Sequence, residues 1–106
     1  MASSRLDTMR AMVEADPANP LARFGLANEL MKTEDYESAI TALNEYLAIH
    51  DDEGAAYRLL AQANENLKRF DHAREAYRKG SEAATRHHHP GMAAEFEERL
   101  EDLQDL

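Results

Sequence analysis

At 106 residues, with 43% hydrophobic and 31% charged side chains, four glycines and three prolines, the chain has the composition of one compact helical domain and not of a disordered segment. A net charge of −9 argues against a nucleic-acid partner, which needs clustered Lys and Arg. No run approaches the roughly 20 apolar residues that cross a bilayer, so no membrane partner is expected. The absence of cysteine removes disulfides and thiol chemistry. Met1 to Arg10 carries early charges and no apolar block of the secretory kind, which makes the cytoplasm the expected location.

The leading helix is predicted over residues 4–16, with Ser4 as a capping candidate and Leu6, Met9, Met12 and Val13 at helical spacing. Asp16-Pro17-Ala18-Asn19-Pro20 ends it, because proline cannot continue a helix and biases the residue before it toward extended geometry. Asn19 followed by Pro20 is also a start signal, a capping side chain ahead of a residue preset for the first helical position. The second helix follows over Pro20–Lys32, with Leu26, Ala27 and Leu30 inward. The third, Asp35–Ile49, has a broad apolar stripe of Tyr36, Ala39, Ile40, Leu43, Tyr46 and Leu47.

His50-Asp51-Asp52-Glu53-Gly54 breaks the pattern, and its acidic cluster suits the positive N-terminal end of the next helix. That fourth helix, Glu53–Leu67, turns Tyr57, Leu60 and Ala61 inward. The fifth, Phe70–Thr85, presents Phe70, Ala73, Ala76, Tyr77, Ala83 and Ala84. Its mid-helix Gly80 costs about 0.5–1 kcal/mol relative to Ala, which close approach of a neighbouring helix would offset. Arg86 to Gly91 is the connector to a last helix, Pro90–Asp105, with Met92, Phe96, Leu100 and Leu103 on one side.

Two of these hairpins are copies of one another. A shift of 34 residues lays Leu26 on Leu60, Ala27 on Ala61, Tyr36 on Phe70, Ala39 on Ala73 and Leu43 on Tyr77. The order large, small, aromatic, small, large is that of a helix-turn-helix repeat. The first unit reads Arg23-x2-Leu26-Ala27-x2-Leu30 then Ala39-x3-Leu43, and the second Tyr57-x2-Leu60-Ala61-x2-Asn64 then Ala73-x3-Tyr77. On these residues the chain resembles the tetratricopeptide repeat family, whose pattern is W-x2-L-G-x2-Y, A-x3-F and P. The tryptophan position holds Arg23 and Tyr57, and the closing proline is replaced by Asp51 and Thr85.

The resemblance implies an all-α fold in which about six helices form antiparallel pairs stacked as a right-handed superhelix. It would be one domain over residues 1–106: the leading helix 4–16, repeat one at 20–53, repeat two at 54–87 and a capping helix at 90–105. It implies a non-catalytic protein–protein interaction module, with no cofactor, that binds a peptide or partner helix in a concave groove. That groove would be lined by Phe24, Asn28 and Met31 from the first unit and Arg58, Gln62 and Glu65 from the second. The amides suit an extended peptide backbone, Phe24 and Met31 offer apolar contact, and Arg58 can hold a carboxylate with two parallel bonds. A clamp of the chaperone-tail type is not expected, because only Asn28 matches it; Phe24, Leu59, His89 and Ala93 stand at its other positions. The rival reading is a self-assembling scaffold protein, a homodimer or higher oligomer joined through its terminal helices, whose open ends expose core surface unless capped.

Charge is unevenly spread. Lys68, Arg69, Arg74, Arg78 and Lys79 stand against Asp71 and Glu75, whereas Glu95 to Leu106 has six acidic residues against Arg99 alone. These are two solvated faces, an acidic terminal segment packed near a basic helix or, as the weakest of the three readings, a basic ligand-binding patch. His87-His88-His89 suggests a metal site, but consecutive helical residues point about 100° apart, so a solvated connector is the expected role and no metal is assigned. Glu97 and Glu101 fall on an exposed face with no His, Ser or Gly-rich loop beside them, so no catalytic residue is assigned.

Overall fold

The computed structural model describes residues 4–106; residues 1–3, counted above in the leading segment, lie outside the described part. Among the described residues there are six helices and no strand: α1 Ser4–Ala15, α2 Pro20–Lys32, α3 Tyr36–Ile49, α4 Ala55–Asn66, α5 Phe70–Arg86 and α6 Pro90–Leu103. Each lies within two residues of its predicted span. Ser4, read as a cap, is the first residue of α1. The helices form two compact units, the first ending at His50 and the second running from Asp51 to Leu106.

In the first unit the start signal of α2 operates as the sequence implies. Asn19 Oδ1 accepts hydrogen bonds from the backbone N–H groups of Leu21 (3.0 Å) and Ala22 (3.4 Å), and Pro20 takes the first helical position, where a missing N–H costs nothing. Asp35 caps α3 by accepting from the Ser38 N–H at 3.3 Å. α2 packs on α3, and the residues buried on them are Ala22, Ala27 and Leu30 on α2 and Ala39, Ala42 and Leu43 on α3. Both predicted small residues are there. α1 packs on α2 with Met9 over Gly25, where a Cβ would stand 3.1 Å from the Met9 sulfur. No residue from Arg5 to Ala15 is buried.

The second unit repeats this hairpin and adds a third helix. The acidic linker does cap α4, through one member: Asp52, itself buried, accepts from the N–H groups of Gly54 (2.8 Å) and Ala56 (2.9 Å). Ala56, Ala61, Ala63 and Asn64 of α4 and Ala73, Ala76 and Tyr77 of α5 are buried. Asn64 stands where the first unit has Leu30, and its Nδ2 is satisfied by the Leu60 carbonyl at 2.9 Å. α6 packs on α5 and drives Phe96 fully inside, with Met92 and Leu100 at the margin of the same cluster. The Phe96 ring lies 5.8 Å from that of Tyr77. Gly80 makes this possible: a Cβ there would stand 2.8 Å from Phe96 Cε2 and 3.0 Å from Tyr57 Cβ. This is the close approach that offsets its helix penalty.

The basic α5 and acidic α6 do lie together. Arg74 reaches past its own neighbour Asp71 to the carbonyls of Leu103 (2.7 Å) and Leu106 (3.1 Å) at the C-terminal end of α6, where a cation meets the negative end of the helix. Arg78 pairs within its own helix with Glu75 at 2.5 Å.

The turns repeat as well. Glu34, Lys68 and His88 all have left-handed backbones, with φ of 60°, 59° and 63°. In each case the next residue's N–H bonds back five positions to close the helix: Asp35 to Leu30 (2.9 Å), Arg69 to Asn64 (2.8 Å) and His89 to Ala84 (2.7 Å). This is the Schellman closure, usually made with glycine. Here three residues with side chains bear its conformational cost.

Two substitutions test this packing. Helix propensity alone predicts that Gly80→Ala stabilises by up to about 1 kcal/mol, but overpacking against Phe96 and Tyr57 costs about 1–3 kcal/mol. A lowered urea midpoint is therefore expected. Lys68→Gly relieves the left-handed residue and is expected to stabilise by about 1 kcal/mol, raising the melting temperature by about 4–8 °C in thermal unfolding.

Candidate functional site

The six residues expected to receive a partner fall on α2 and α4, and each unit holds its three differently. On α2, Phe24 leans on Tyr46 of α3 with ring centroids 5.4 Å apart, and Tyr46 continues to His50 at 5.2 Å. Asn28 Nδ2 donates to the Phe24 carbonyl one turn back at 3.2 Å, so part of its amide is committed to its own helix. Met31 is half-buried near the helix end. Together they make a patch with one amide and two apolar side chains.

On α4 the charged members are already engaged. Arg58 grips Glu95 of α6 through two parallel bonds, Nε to Oε2 at 2.7 Å and Nη2 to Oε1 at 2.8 Å, and its guanidinium lies 5.5 Å above the Phe96 ring. Glu95 is therefore held below the usual carboxylate range by Arg58, and Arg58 is pushed further up by Glu95. The carboxylate that Arg58 was expected to take from a partner is supplied within the chain. Glu65 is held in the same manner: it accepts from Arg99 Nη2 at 2.5 Å and from the Tyr77 hydroxyl. Burial and then the Glu65 carboxylate push the Tyr77 phenol up to about 12. Arg99 also bonds Asp102 at 2.8 Å and lies 5.9 Å over the Tyr77 ring.

Around this cluster opens a hollow of about 410 Å³ lined by Gln62, Glu65, Asn66, Tyr77 and Arg99. Two of the predicted residues belong to it, and three others were missed. Asn66 follows the predicted stripe by one turn from Gln62, whose carbonyl it bonds at 2.8 Å. Tyr77 was read as core, which it is, with its hydroxyl turned to the hollow's carboxylate. Arg99 was visible only as the lone base in an acidic segment, and that isolation was the available signal. The floor is thus an ion pair capped by a phenol, neutral overall, and the rim has two exposed amides. Such a lining suits the uncharged donors and acceptors of a peptide backbone better than a free charge.

The histidine run does not gather into one site. His87 Nε2 lies 2.8 Å from Asp51, which Arg86 also binds at 2.9 Å; His89 Nε2 lies 2.6 Å from Glu53; and His88 occupies the left-handed turn. These contacts fasten the linker ahead of α4 to the α5–α6 connector. Among the described residues no group of three or more His, Asp or Glu side chains could hold a metal ion, and no helix is long and apolar enough to cross a membrane. Glu97 and Glu101 are exposed, as expected.

The carboxylates fix the pH response. Asp51 is lowered first by its bond to Arg86 and then by His87, Glu53 is lowered by His89, and Glu95 by Arg58. A carboxyl whose folded pKa is depressed contributes stability that is present above its unfolded value and lost as pH falls through the folded one. The urea midpoint is therefore expected to hold down to the ordinary carboxylate range, near pH 4, and to fall below it. Glu95→Gln is expected to flatten that acid limb. Tyr77 has the opposite sign. Its contribution to stability is intact below about pH 10 and lost toward 12, so in an ultraviolet titration Tyr77→Phe is expected to remove the latest-ionising phenol.

Comparison with known proteins agrees with this architecture. A family model of the tetratricopeptide repeat matches residues 6–63, from within α1 into α4, and a second matches residues 55–87, which is the α4–α5 hairpin. A search of curated proteins finds no match. The first match alone spans more than half of the chain, and it extends the resemblance to α1, ahead of the first hairpin. The chain belongs to the tetratricopeptide repeat family.

Proposed function

We propose that this protein is a non-catalytic interaction module that recognises an uncharged stretch of extended peptide on the outer face of α4. Repeats of this family generally mediate protein–protein contacts, and the family is typically non-catalytic. The observation that carries the reading is the hollow lined by Gln62, Glu65, Asn66, Tyr77 and Arg99. Its amides are offered at the rim, while the Glu65–Arg99 pair and the Tyr77 hydroxyl hold its floor rigid. Preorganised polar groups of this kind bind a peptide backbone without reordering long side chains first.

Arg58 serves as support in this reading. With Glu95 on its two donors, it fixes α4 against α6 and keeps a partner's carboxylate from binding there unless Glu95 is displaced. Phe24, Asn28 and Met31 form a separate patch on α2 suited to an apolar side chain of a partner. Each patch is a proposal for its own unit.

A random peptide library panned against the full chain provides the test. Selected peptides, measured by calorimetry, are expected to lose about tenfold in affinity when Gln62 and Asn66 are both changed to Ala, since each lost hydrogen bond is worth about 0.5–1.5 kcal/mol. Affinity unchanged in that variant rejects the hollow as the site. Loss on Phe24→Ala with Met31→Ala alone moves recognition to α2.

A further inference from the structure

α1 differs from the other five helices. No residue from Arg5 to Ala15 is buried, whereas each of α2 to α6 has at least three buried residues. Its hold on the unit includes half-buried Leu6, Met9 and Val13, with Met9 over Gly25, and an ion pair at the surface from Arg5 Nε to Glu29 at 2.9 Å. Surface pairs of that type contribute little, and a helix of about 12 residues is marginal on its own in water. The arm is therefore lightly fastened.

A second observation concerns the hinge. α1 and α2 are joined by residues 16–19 alone, folded as a turn in which the Asn19 N–H bonds the Asp16 carbonyl at 3.0 Å. On either side of this turn stand two of the chain's exposed large apolar residues, Met12 at 45% and Leu21 at 82%. Neither has an evident role in a single chain. When a hinge of this kind straightens and two copies exchange arms about a two-fold axis, the hinges run side by side, so residues flanking them meet their own counterparts.

We infer that α1 is an exchangeable arm whose occupant site on α2 accepts α1 of a second copy, giving a swapped dimer sealed at its hinges by Met12 and Leu21. Every contact that holds the arm at home is re-formed across the pair: Met9 over the partner copy's glycine, and Arg5 on its glutamate. The exchange costs the Asn19–Asp16 turn bond and the bond from Arg23 Nε to the Pro17 carbonyl in each chain, and it must compete with a tethered arm whose effective concentration is of millimolar order. The newly covered Met12 and Leu21 are what tip the balance toward the dimer. The inference is independent of the α4 hollow, which lies in the other unit.

The chain has no cysteine, so single thiols can report the exchange. Arg5→Cys and Glu29→Cys chains are mixed at about 1 mM, a level set by the competing tether, warmed, cooled and treated with a short bismaleimide. Cross-linked pairs of unlike chains are expected in the mixture and not with Glu29→Cys alone. In sedimentation, Leu21→Asp is expected to lower the dimer association constant about tenfold, the scale of burying part of a leucine. The doubly substituted chain shows that the reagent can bridge α1 to α2. If that chain cross-links only within itself at every concentration, or if the mixture gives no joined pair even where a dimer sediments, the exchange is refuted.

Discussion

Close approach of helices over residues with little or no side chain is the constraint on which both units depend. Ala27 and Ala39 in the first unit, and Ala61 and Ala73 in the second, have no accessible surface; a larger side chain at any of them would push its hairpin open. Gly80 extends the same device to α6, admitting Phe96 to contact with the backbone of α5. Once the backbones are this close, the long side chains of α4 cannot fold inward. Arg58, Gln62 and Glu65 are left on its outer surface, and α6 brings Glu95 and Arg99 to meet the two charged ones.

This explains why the proposed recognition surface is polar and ordered at once. A surface arginine or glutamate ordinarily samples many rotamers, and fixing it on a partner costs entropy at the moment of binding. Here the fixing is done within the fold. Arg58 is held by two bonds to Glu95 and by the Phe96 ring, and Glu65 is held by Arg99 and by Tyr77. What remains for a partner is the amides, short of reach and neutral. In the function proposed above, the family's generic role in protein–protein contact takes a particular form, set by which groups the closing helix has already satisfied.

The fold was largely legible because its determinants are local or periodic. The 34-residue spacing found the paired alanines, Asn19-Pro20 located the start of α2, and Gly80 announced a close neighbour. The burial pattern carries the period further than the motif did: Ala22 with Ala56, and Ala42 with Ala76, are also buried in register. The three left-handed turns were not legible, because glycine, their usual sign, is replaced by Glu34, Lys68 and His88. The site was legible only by halves. Periodicity places Gln62 and Glu65 on the face of α4 that lines the hollow, but it does not say that Glu95, 37 positions after Arg58, takes that arginine for itself. Pairing between distant charges depends on the register of α6 on α5, which is fixed by Phe96 and not by the charges.

Native-state amide hydrogen exchange addresses the central claim most directly, because it reports which backbones are held together by packing. If hairpins closed over small residues are the foundation, the amides of Ala61, Ala73, Ala84 and Phe96 exchange most slowly in the second unit, at the rate of global unfolding, and those of α1 exchange fastest among the helices. Rapid exchange at Ala61 and Ala73 under conditions where α6 remains protected would contradict it.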